Sequence, residues 1–301
     1  MSGIFTERPS VAKPGWETPS PRWRRPPFPA LMAVVVAAIA VAAFWLTSRP
    51  SGQQGWATLG TTDVHSLAFV DGNADHLLFG HHGGVLESQD GGRTWEPLDT
   101  NVDAMALTAA SDRSIVIAGH DVLTTSPDGG ATWKPVSADL PSLDIHGFTR
   151  DPANPTRMWA YLATGGLWES IDGGLGWSRV REDNVAFPLA VPTQTGTRLL
   201  GVDASGLVAS DDGGRTWTAV GAPPTYPMTA LAASADGTVL FAGAPDGLFR
   251  SRDGGRTWAT TGYCGSALAV ATTPDGLSVG LVSQATAFFR SPDGGATWTG
   301  P

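Results

Sequence analysis

The chain has 301 residues, of which 42% are hydrophobic and 16% are charged, a balance that excludes an intrinsically disordered protein. Its net charge of −9 argues against nucleic acid as a partner, because binding to phosphates requires a basic surface. The single cysteine excludes an intrachain disulfide framework and a zinc site built from several cysteines.

The amino-terminal region has the pattern of a membrane anchor. Residues 28–47 are an uncharged run of 20 residues, long enough to cross a bilayer core of about 30 Å as a helix. Residues 1–27 carry five basic and two acidic residues, whereas residues 48–301 carry 14 basic and 26 acidic residues. The positive-inside rule then places the amino terminus in the cytoplasm and the rest of the chain outside it.

We therefore predict a single-pass protein of the cell membrane. Its parts are a cytoplasmic tail at 1–27, a transmembrane helix at 28–47, a linker at 48–55 and an extracytoplasmic domain at 56–301. The alternative for the apolar run is a cleaved signal peptide, although no small-x-small cleavage site closes it.

Six copies of one eight-residue motif follow. Five copies read Ser-x-Asp-Gly-Gly-x-Thr-Trp, and the third has Gly176 in place of threonine. The copies occupy residues 88–95, 126–133, 170–177, 210–217, 251–258 and 291–298. Short β-type segments lie between them, about four per 40 residues, which is the pattern of propeller blades. The sequence therefore predicts an all-β, six-bladed β-propeller, a class that fits the 38 glycines and 23 prolines of the chain.

The motif resembles the Asp-box, or BNR, repeat. That family includes sialidases, sortilin-type receptors, photosystem II assembly factors and bacterial membrane-anchored proteins described as glycosyl hydrolases. The resemblance covers about residues 56–301 and implies a propeller whose Asp-box turns are structural and join the third and fourth strands of each blade. It does not single out a function, because these relatives include enzymes, receptors and assembly factors. The Phe/Tyr-Arg-Ile-Pro motif of sialidases is absent, so sialidase activity is not expected.

The ring of blades also has to close. Only three residues follow the last tryptophan of the repeat, too few for a full outer strand. We expect residues 56–60, which precede the first blade, to pair with the outer edge of the sixth blade. This pairing would also cover a strand edge that is otherwise free to aggregate.

The residues that differ among the blades are the candidates for a functional site. All six histidines of the chain lie in the first three blades. We align the innermost strands on Leu67, Met105 and Phe148. The residues two positions earlier are then His65, Asp103 and His146, and those two positions earlier again are Asp63, Asn101 and Asp144. A spacing of two keeps side chains on one face of a strand.

A second set of histidines is found by counting back six residues from the serine of each motif. This count gives His82 and His120 in the first two blades. They fall in loops that open at the same end of a propeller as the start of the innermost strand. We therefore expect one ligand-binding site at the central mouth, made of Asp63, His65, His82, Asp103, His120 and His146.

Imidazole and carboxylate groups that converge in this way suit a divalent metal, zinc or copper. The expected metal ligands are His65, His82, Asp103, His120 and His146, with Cys264 of the sixth blade as a further candidate. A small polar ligand or a protein at the mouth is another interpretation. The simplest alternative is that these side chains only line a wet channel.

For function, the sequence favours a non-enzymatic binding or assembly module that acts through this mouth. A glycoside hydrolase is the first alternative, with catalytic carboxylates drawn from Asp63, Asp103, Asp121 and Asp144. A platform that binds proteins at its rim and takes no small ligand is the second.

Overall fold

The computed structural model describes residues 57–100, 102–110, 112–183 and 185–299. The predicted tail, transmembrane helix and linker lie outside these ranges. Within them, no helix is long and apolar enough to cross a membrane.

The described residues form 24 β-strands. The first twelve are β1 (Ala57–Thr58), β2 (Ser66–Phe69), β3 (Leu77–His81), β4 (Gly84–Ser88), β5 (Glu96–Pro97), β6 (Ala106–Ala109), β7 (Ile115–Gly119), β8 (Val122–Ser126), β9 (Lys134–Pro135), β10 (Ile145–Arg150), β11 (Met158–Leu162) and β12 (Gly166–Ser170). The others are β13 (Ser178–Arg181), β14 (Ala186–Thr193), β15 (Gly196–Asp203), β16 (Gly206–Ser210), β17 (Thr218–Ala219), β18 (Ala230–Ala233), β19 (Leu240–Ala244), β20 (Gly247–Ser251), β21 (Ala259–Thr260), β22 (Ala269–Thr272), β23 (Val279–Val282) and β24 (Ala287–Ser291).

These strands make six four-stranded antiparallel sheets. Blades one to five are β2–β5, β6–β9, β10–β13, β14–β17 and β18–β21, and the sixth has the order β1-β24-β23-β22. The innermost strands β2, β6, β10, β14, β18 and β22 contact one another in a closed ring. The prediction of a six-bladed β-propeller is confirmed.

The core of the propeller lies between neighbouring blades. Successive residues of a strand point to opposite faces. The second strand of a blade therefore contributes side chains to two apolar layers, one on each side of the blade. In the first blade, Phe79 packs toward the sixth blade with Phe288, whereas Leu78 packs toward the second blade with Ile117. Because both faces are covered, the middle strands are almost fully buried, as in β11, where all five residues are buried.

Each repeated turn is held by its serine and its aspartate. In the fourth turn, Ser210 Oγ accepts the N–H of Gly214 (2.8 Å) and donates to Asp212 Oδ1 (2.8 Å). Asp212 also accepts the N–H of Thr216 (2.9 Å) through Oδ1 and its hydroxyl (2.6 Å) through Oδ2. The serine and the aspartate therefore satisfy several backbone N–H groups of their own turn.

The glycines and the tryptophan complete the turn. Gly213 and Gly214 have φ values of 76° and 93°, a left-handed conformation that favours glycine. Trp217 Nε1 donates to the carbonyl of Gly214 (2.8 Å), so the indole lies over the turn. Five of the turns connect the third and fourth strands of their blades, as expected, and the sixth, residues 291–298, connects β24 to Thr299, which pairs with Arg290.

The sixth blade is closed by segments from both ends of the described chain. β1 pairs with β24, with Ala57 opposite Phe288, and Thr299 pairs with Arg290 farther along the same strand. The outer strand of this blade is therefore built from two separate segments. The closure expected for residues 56–60 is confirmed for its described part, and Trp56 lies outside the described residues.

Candidate functional site

The six predicted site residues lie at one end of blades one to three. His82 and His120 stand in the two-residue connections between β3 and β4 and between β7 and β8, at equivalent positions. Asp63, Asp103 and the neighbouring Asp144 stand on the segments that lead into β2, β6 and β10. With His65 and His146, these residues form three contiguous groups of three, which we call the first, second and third triads.

The first triad contains Asp63, His65 and His82. His82 Nδ1 lies 2.8 Å from Asp63 Oδ2 and 3.0 Å from His65 Nε2. His65 Nε2 is 3.7 Å from Asp63 Oδ1. Asp63 Oδ1 also accepts the backbone N–H of His82 (2.9 Å). This hydrogen bond joins the connection between β3 and β4 to the segment that leads into β2.

The second triad lies between the first and second blades and contains His82, Asp103 and His120. His120 Nδ1 is 2.5 Å from Asp103 Oδ2, and His82 Nε2 faces the same oxygen at 3.9 Å. The second oxygen of this carboxylate, Asp103 Oδ1, is buried and has no hydrogen-bond partner. The rings of His82 and His120 are parallel to within 8°, with centroids 6.1 Å apart.

The third triad joins the second and third blades and contains His120, Asp144 and His146. Its three closest atoms form a small triangle: His146 Nε2 is 2.9 Å from Asp144 Oδ1, and His120 Nε2 is 3.4 Å from that oxygen and 3.2 Å from His146 Nε2. Asp144 thus belongs to the site, although the sequence alignment did not count it among the ligands.

Burial, hydrogen bonds and charge shift the pKa values of Asp63 and His65 in the first triad. Burial is the largest influence on His65 and lowers the pKa of its imidazole, with a smaller contribution from the charge of His82. For Asp63, burial acts to raise the pKa, but the hydrogen bonds from His82 and the charge of His65 outweigh it, so the pKa lies below its usual value. A neutral imidazole beside an ionised carboxylate is the protonation state that binds metal ions.

Strand pairing corrects the alignment of the second blade. In the first blade, Leu67 lies opposite Phe79, the third residue of its strand. In the second blade, the residue opposite the equivalent Ile117 is Leu107 and not Met105. The inner strand of this blade is therefore displaced by two residues from the alignment based on Met105.

The correction changes which residues are equivalent. Asp103 has the position of Asp63, four residues before the paired leucine, and Met105 has the position of His65. Asp144 stands four residues before Phe148, which pairs with the third residue of β11. The site is thus a row of three aspartates on three successive blades. Each aspartate stands four residues before the inner-strand residue that pairs with the third residue of the next strand. This spacing identifies the row only once the strand pairing is known.

Two of the other blades use hydroxyl groups in this region for internal hydrogen bonds. Ser266 Oγ accepts the N–H of Gln284 (2.9 Å) in the sixth blade. Thr229 Oγ1 donates to the carbonyl of Ala267 (2.5 Å), which links the fifth and sixth blades. The Asp/His row is therefore a local feature of one side of the ring.

The other candidates lie outside the triads. Cys264 is exposed and is a member of none of them. His76 pairs with Glu87, at 2.6 Å between His76 Nε2 and Glu87 Oε1. His81 stacks on Phe79 and accepts the N–H of Gly83 through Nδ1. A central channel of about 500 Å³ runs along the innermost strands and is lined largely by apolar residues, with His65 among its walls.

The donor set and its spacing fit a transition metal. In a tetrahedral zinc site with bonds of about 2.05 Å, neighbouring ligand atoms lie roughly 3.3 Å apart. The three separations in the third triad, 2.9 to 3.4 Å, are close to that value. Two imidazole nitrogens and one carboxylate oxygen supply three protein ligands, which leaves a fourth position for water or another ligand.

No protein-family model matches the chain, and no curated protein matches it. Solved structures do match in fold. YCF48 from Cyanidioschyzon merolae is 21% identical, with a TM-score of 0.51 over 81% of this chain and 87% of that chain. A chain of the nidogen/laminin complex is 13% identical, with a TM-score of 0.59 over 75% of this chain and 93% of that chain.

Enzymes are also among the similar structures. The GH74 xyloglucanase from Xanthomonas campestris is 17% identical, with a TM-score of 0.55 over 82% of this chain and 54% of that chain. The GH74 enzyme of Niastella koreensis is 18% identical and is covered over 46% of its chain. This chain therefore spans about half the length of those enzymes. At these identities the comparisons define the class of fold, a β-propeller, and do not define the chemistry.

Proposed function

We propose that the propeller is a non-enzymatic binding module whose Asp/His row takes up a divalent transition metal, zinc or copper. The observation that carries the proposal is the third triad, in which His120, Asp144 and His146 direct three donor atoms at one point. Hydrogen bonds among the neutral groups cannot make all three contacts between these atoms favourable, whereas one cation can accept a lone pair from each of them.

The proposal includes the location of the module. Residues 28–47 would anchor the chain in the cell membrane and hold the propeller, residues 56–301, on the extracytoplasmic side. The basic tail and the acidic remainder of the chain support this orientation. The repeated turns support membership of the Asp-box family, whose propellers include membrane-anchored proteins.

An assembly role follows from the same geometry. His82 and His120 are the most exposed members of the row, with 51% and 42% of their side chains accessible. A metal ion held by three protein ligands keeps one position open, and that position is accessible at this surface. A protein or a small polar molecule that supplies the fourth ligand would therefore bind through the ion.

The glycoside hydrolase alternative has weaker support. A glycosidase needs one carboxylic acid whose pKa is raised so that it can donate a proton. The pKa of Asp63 is instead lowered, and Asp103 and Asp144 lie within hydrogen-bond distance of histidines. Asp121 forms the exposed end of a hairpin. The similarity to GH74 enzymes covers only about half of each enzyme.

Metal analysis of the full-length chain tests the proposal. The protein would be purified without a polyhistidine tag, incubated with Zn²⁺ or Cu²⁺, desalted and analysed by inductively coupled plasma mass spectrometry. We expect at least one ion per chain, and loss of the ion in the double variant His65→Ala/His146→Ala. His76→Ala is the matched control, because His76 pairs with Glu87 away from the row. A wild-type chain that retains no metal would overturn the proposal.

A catalytic assay separates the two functions. The same protein would be incubated with a panel of aryl glycosides and with xyloglucan. Turnover that disappears in Asp103→Asn and Asp144→Asn, in a chain without bound metal, would establish the glycoside hydrolase instead.

A further inference from the structure

We propose that the Asp/His row is a two-ion centre, in which the first and third triads each bind one divalent ion and Asp103 positions the histidines between them. This inference rests on the proposed function and specifies its stoichiometry and the roles of the residues.

The outer triads are independent of each other. The first consists of Asp63, His65 and His82 and the third of His120, Asp144 and His146, so they have no residue in common. Each contains two imidazoles and one carboxylate, a full set of three protein ligands for zinc or copper. Occupation of one triad removes no ligand from the other.

The two central histidines each use one ring nitrogen outward and one inward. His82 directs Nδ1 into the first triad, at 3.0 Å from His65 Nε2, whereas its Nε2 lies 3.3 Å from that same nitrogen and 3.9 Å from Asp103 Oδ2. His120 directs Nε2 into the third triad, at 3.2 Å from His146 Nε2, and Nδ1 to Asp103 at 2.5 Å. A neutral imidazole has one lone pair and one N–H. Two bound ions would take the lone pairs of His82 Nδ1 and His120 Nε2. The N–H of His120 would then be donated to Asp103, and the N–H of His82 would face the same carboxylate at 3.9 Å.

Asp103 is then a positioning residue shared by both ions. A carboxylate that accepts the N–H of a metal-binding histidine fixes its tautomer and increases its basicity. Here Asp103 Oδ2 lies 2.5 Å from His120 Nδ1 and 3.9 Å from His82 Nε2, so one carboxylate oxygen faces both rings. The carboxylate lies between the first and third triads, where its negative charge would reduce the repulsion between two bound cations. Its Oδ1 is buried and has no hydrogen-bond partner.

A third ion in the second triad is disfavoured because it would require the loss of a proton from both His82 and His120. It would use His82 Nε2 and His120 Nδ1 as ligands while the outer ions use the opposite nitrogens. Both rings would then have to lose their remaining N–H and become imidazolates. The two-ion arrangement keeps both rings neutral.

The test is a titration of the full-length chain, freed of metal with a chelator, with Zn²⁺ by isothermal titration calorimetry. Co²⁺ absorption spectra would report the coordination of each ion. We expect two ions per wild-type chain and one ion in each of the single variants His65→Ala and His146→Ala. Asp103→Asn should still bind two ions, each with 10- to 100-fold weaker affinity. Asp121→Asn, a neighbouring carboxylate outside the triads, is the matched control and should leave both affinities unchanged.

The outcomes separate this inference from the proposed function. One ion per wild-type chain would overturn the two-ion centre and leave the metal-binding function standing. Three ions would overturn the role of Asp103 as a positioning residue. No ion in a chain with the wild-type circular dichroism spectrum would overturn both. Weakening at only one site in Asp103→Asn would show that the carboxylate is not shared.

Discussion

The Nε2 atoms of His120 and His146 lie 3.2 Å apart across the boundary between the second and third blades, and both are within 3.4 Å of Asp144 Oδ1. Two neutral imidazoles can each donate a proton to the carboxylate, but their nitrogens then face each other with no favourable contact. If one nitrogen instead donates to the other, one contact to Asp144 is lost. A cation uses all three lone pairs, so binding should stabilise the folded chain.

The first prediction is that Zn²⁺ raises the free energy of unfolding. Binding to the folded state alone adds about 2.7 kcal/mol per site at a free concentration 100 times the dissociation constant. Urea unfolding followed by circular dichroism, with Zn²⁺ and with a chelator, measures the difference. The variant His65→Ala/His146→Ala should unfold at the same urea concentration in both conditions. An equal response in wild type and variant would mean that zinc acts elsewhere on the chain.

The second prediction concerns acid stability. In the second repeated turn, the hydroxyl and the N–H of Thr132 lower the pKa of Asp128 to about 2, and Thr257 and Thr297 do the same for Asp253 and Asp293. These carboxylates ionise more readily in the folded chain than in the unfolded chain, where the pKa is near 3.8. Their contribution to stability is therefore fully present above about pH 4 and is lost as the pH falls toward 2.

An unfolding series from pH 5 to pH 2 measures this dependence. Thr132→Val removes the hydroxyl donor, raises the pKa of Asp128 and should make the loss of stability in this range less steep. Thr149→Val, whose hydroxyl accepts a backbone N–H from Ala190, is the control for removal of a buried hydroxyl. Wild type and Thr132→Val with the same pH dependence would show that the turn carboxylates do not drive acid unfolding.

The third prediction uses the irregular third turn. Asp172 accepts the N–H of Gly176 but lacks the threonine hydroxyl that its counterparts accept. The φ angle of Gly176 is not in the left-handed region, and the position carries threonine in the other five turns, so a side chain is tolerated. An added Cβ would lie 2.9 Å from Asp172 Oδ2. Gly176→Ala should stabilise the chain by about 0.4–1 kcal/mol, because the unfolded chain loses freedom. Gly176→Thr should stabilise it further through the new hydroxyl.

The reverse change in the fourth turn is the matched control. Thr216 donates its hydroxyl to Asp212 Oδ2 at 2.6 Å, so Thr216→Gly should lower the denaturation temperature. Differential scanning calorimetry of the three variants and the wild type measures their denaturation temperatures and so ranks their stabilities. If Gly176→Thr were no more stable than Gly176→Ala, the hydroxyl would contribute nothing to these turns.

The fold was predictable because its signal is local and repeated. Each turn is specified by serine, aspartate, glycine and tryptophan side chains that bond within eight residues of one another. Six such turns at a spacing of about 40 residues leave room for four strands between them, and the propeller follows. The closing strand was predictable because residues 56–60 form a β-type segment that precedes the first blade and belongs to none of the repeated units.

The register of the second blade was not predictable in the same way. Met105 and Leu107 are both apolar and lie two residues apart, so either fits the same face of the strand. The choice depends on the connection to the next strand, which has seven residues in the first blade, 70–76, and five in the second, 110–114. The pairing of Asp103 with two histidines depends in turn on contacts between blades, which no local pattern encodes.

The last prediction tests closure of the ring. Leu59 is 9% exposed, packs in the layer between the first and sixth blades, and donates its N–H to the carbonyl of Thr286 (2.9 Å). Leu59→Ala removes the packing and keeps this hydrogen bond, whereas Leu59→Pro removes both and leaves the carbonyl without its partner. We expect Leu59→Pro to lower the free energy of unfolding by about 1–3 kcal/mol more than Leu59→Ala. Urea unfolding of both variants measures the difference. Equal stability would show that the hydrogen bond from Leu59 to Thr286, just beyond the pairing of β1 with β24, does not stabilise the closed ring.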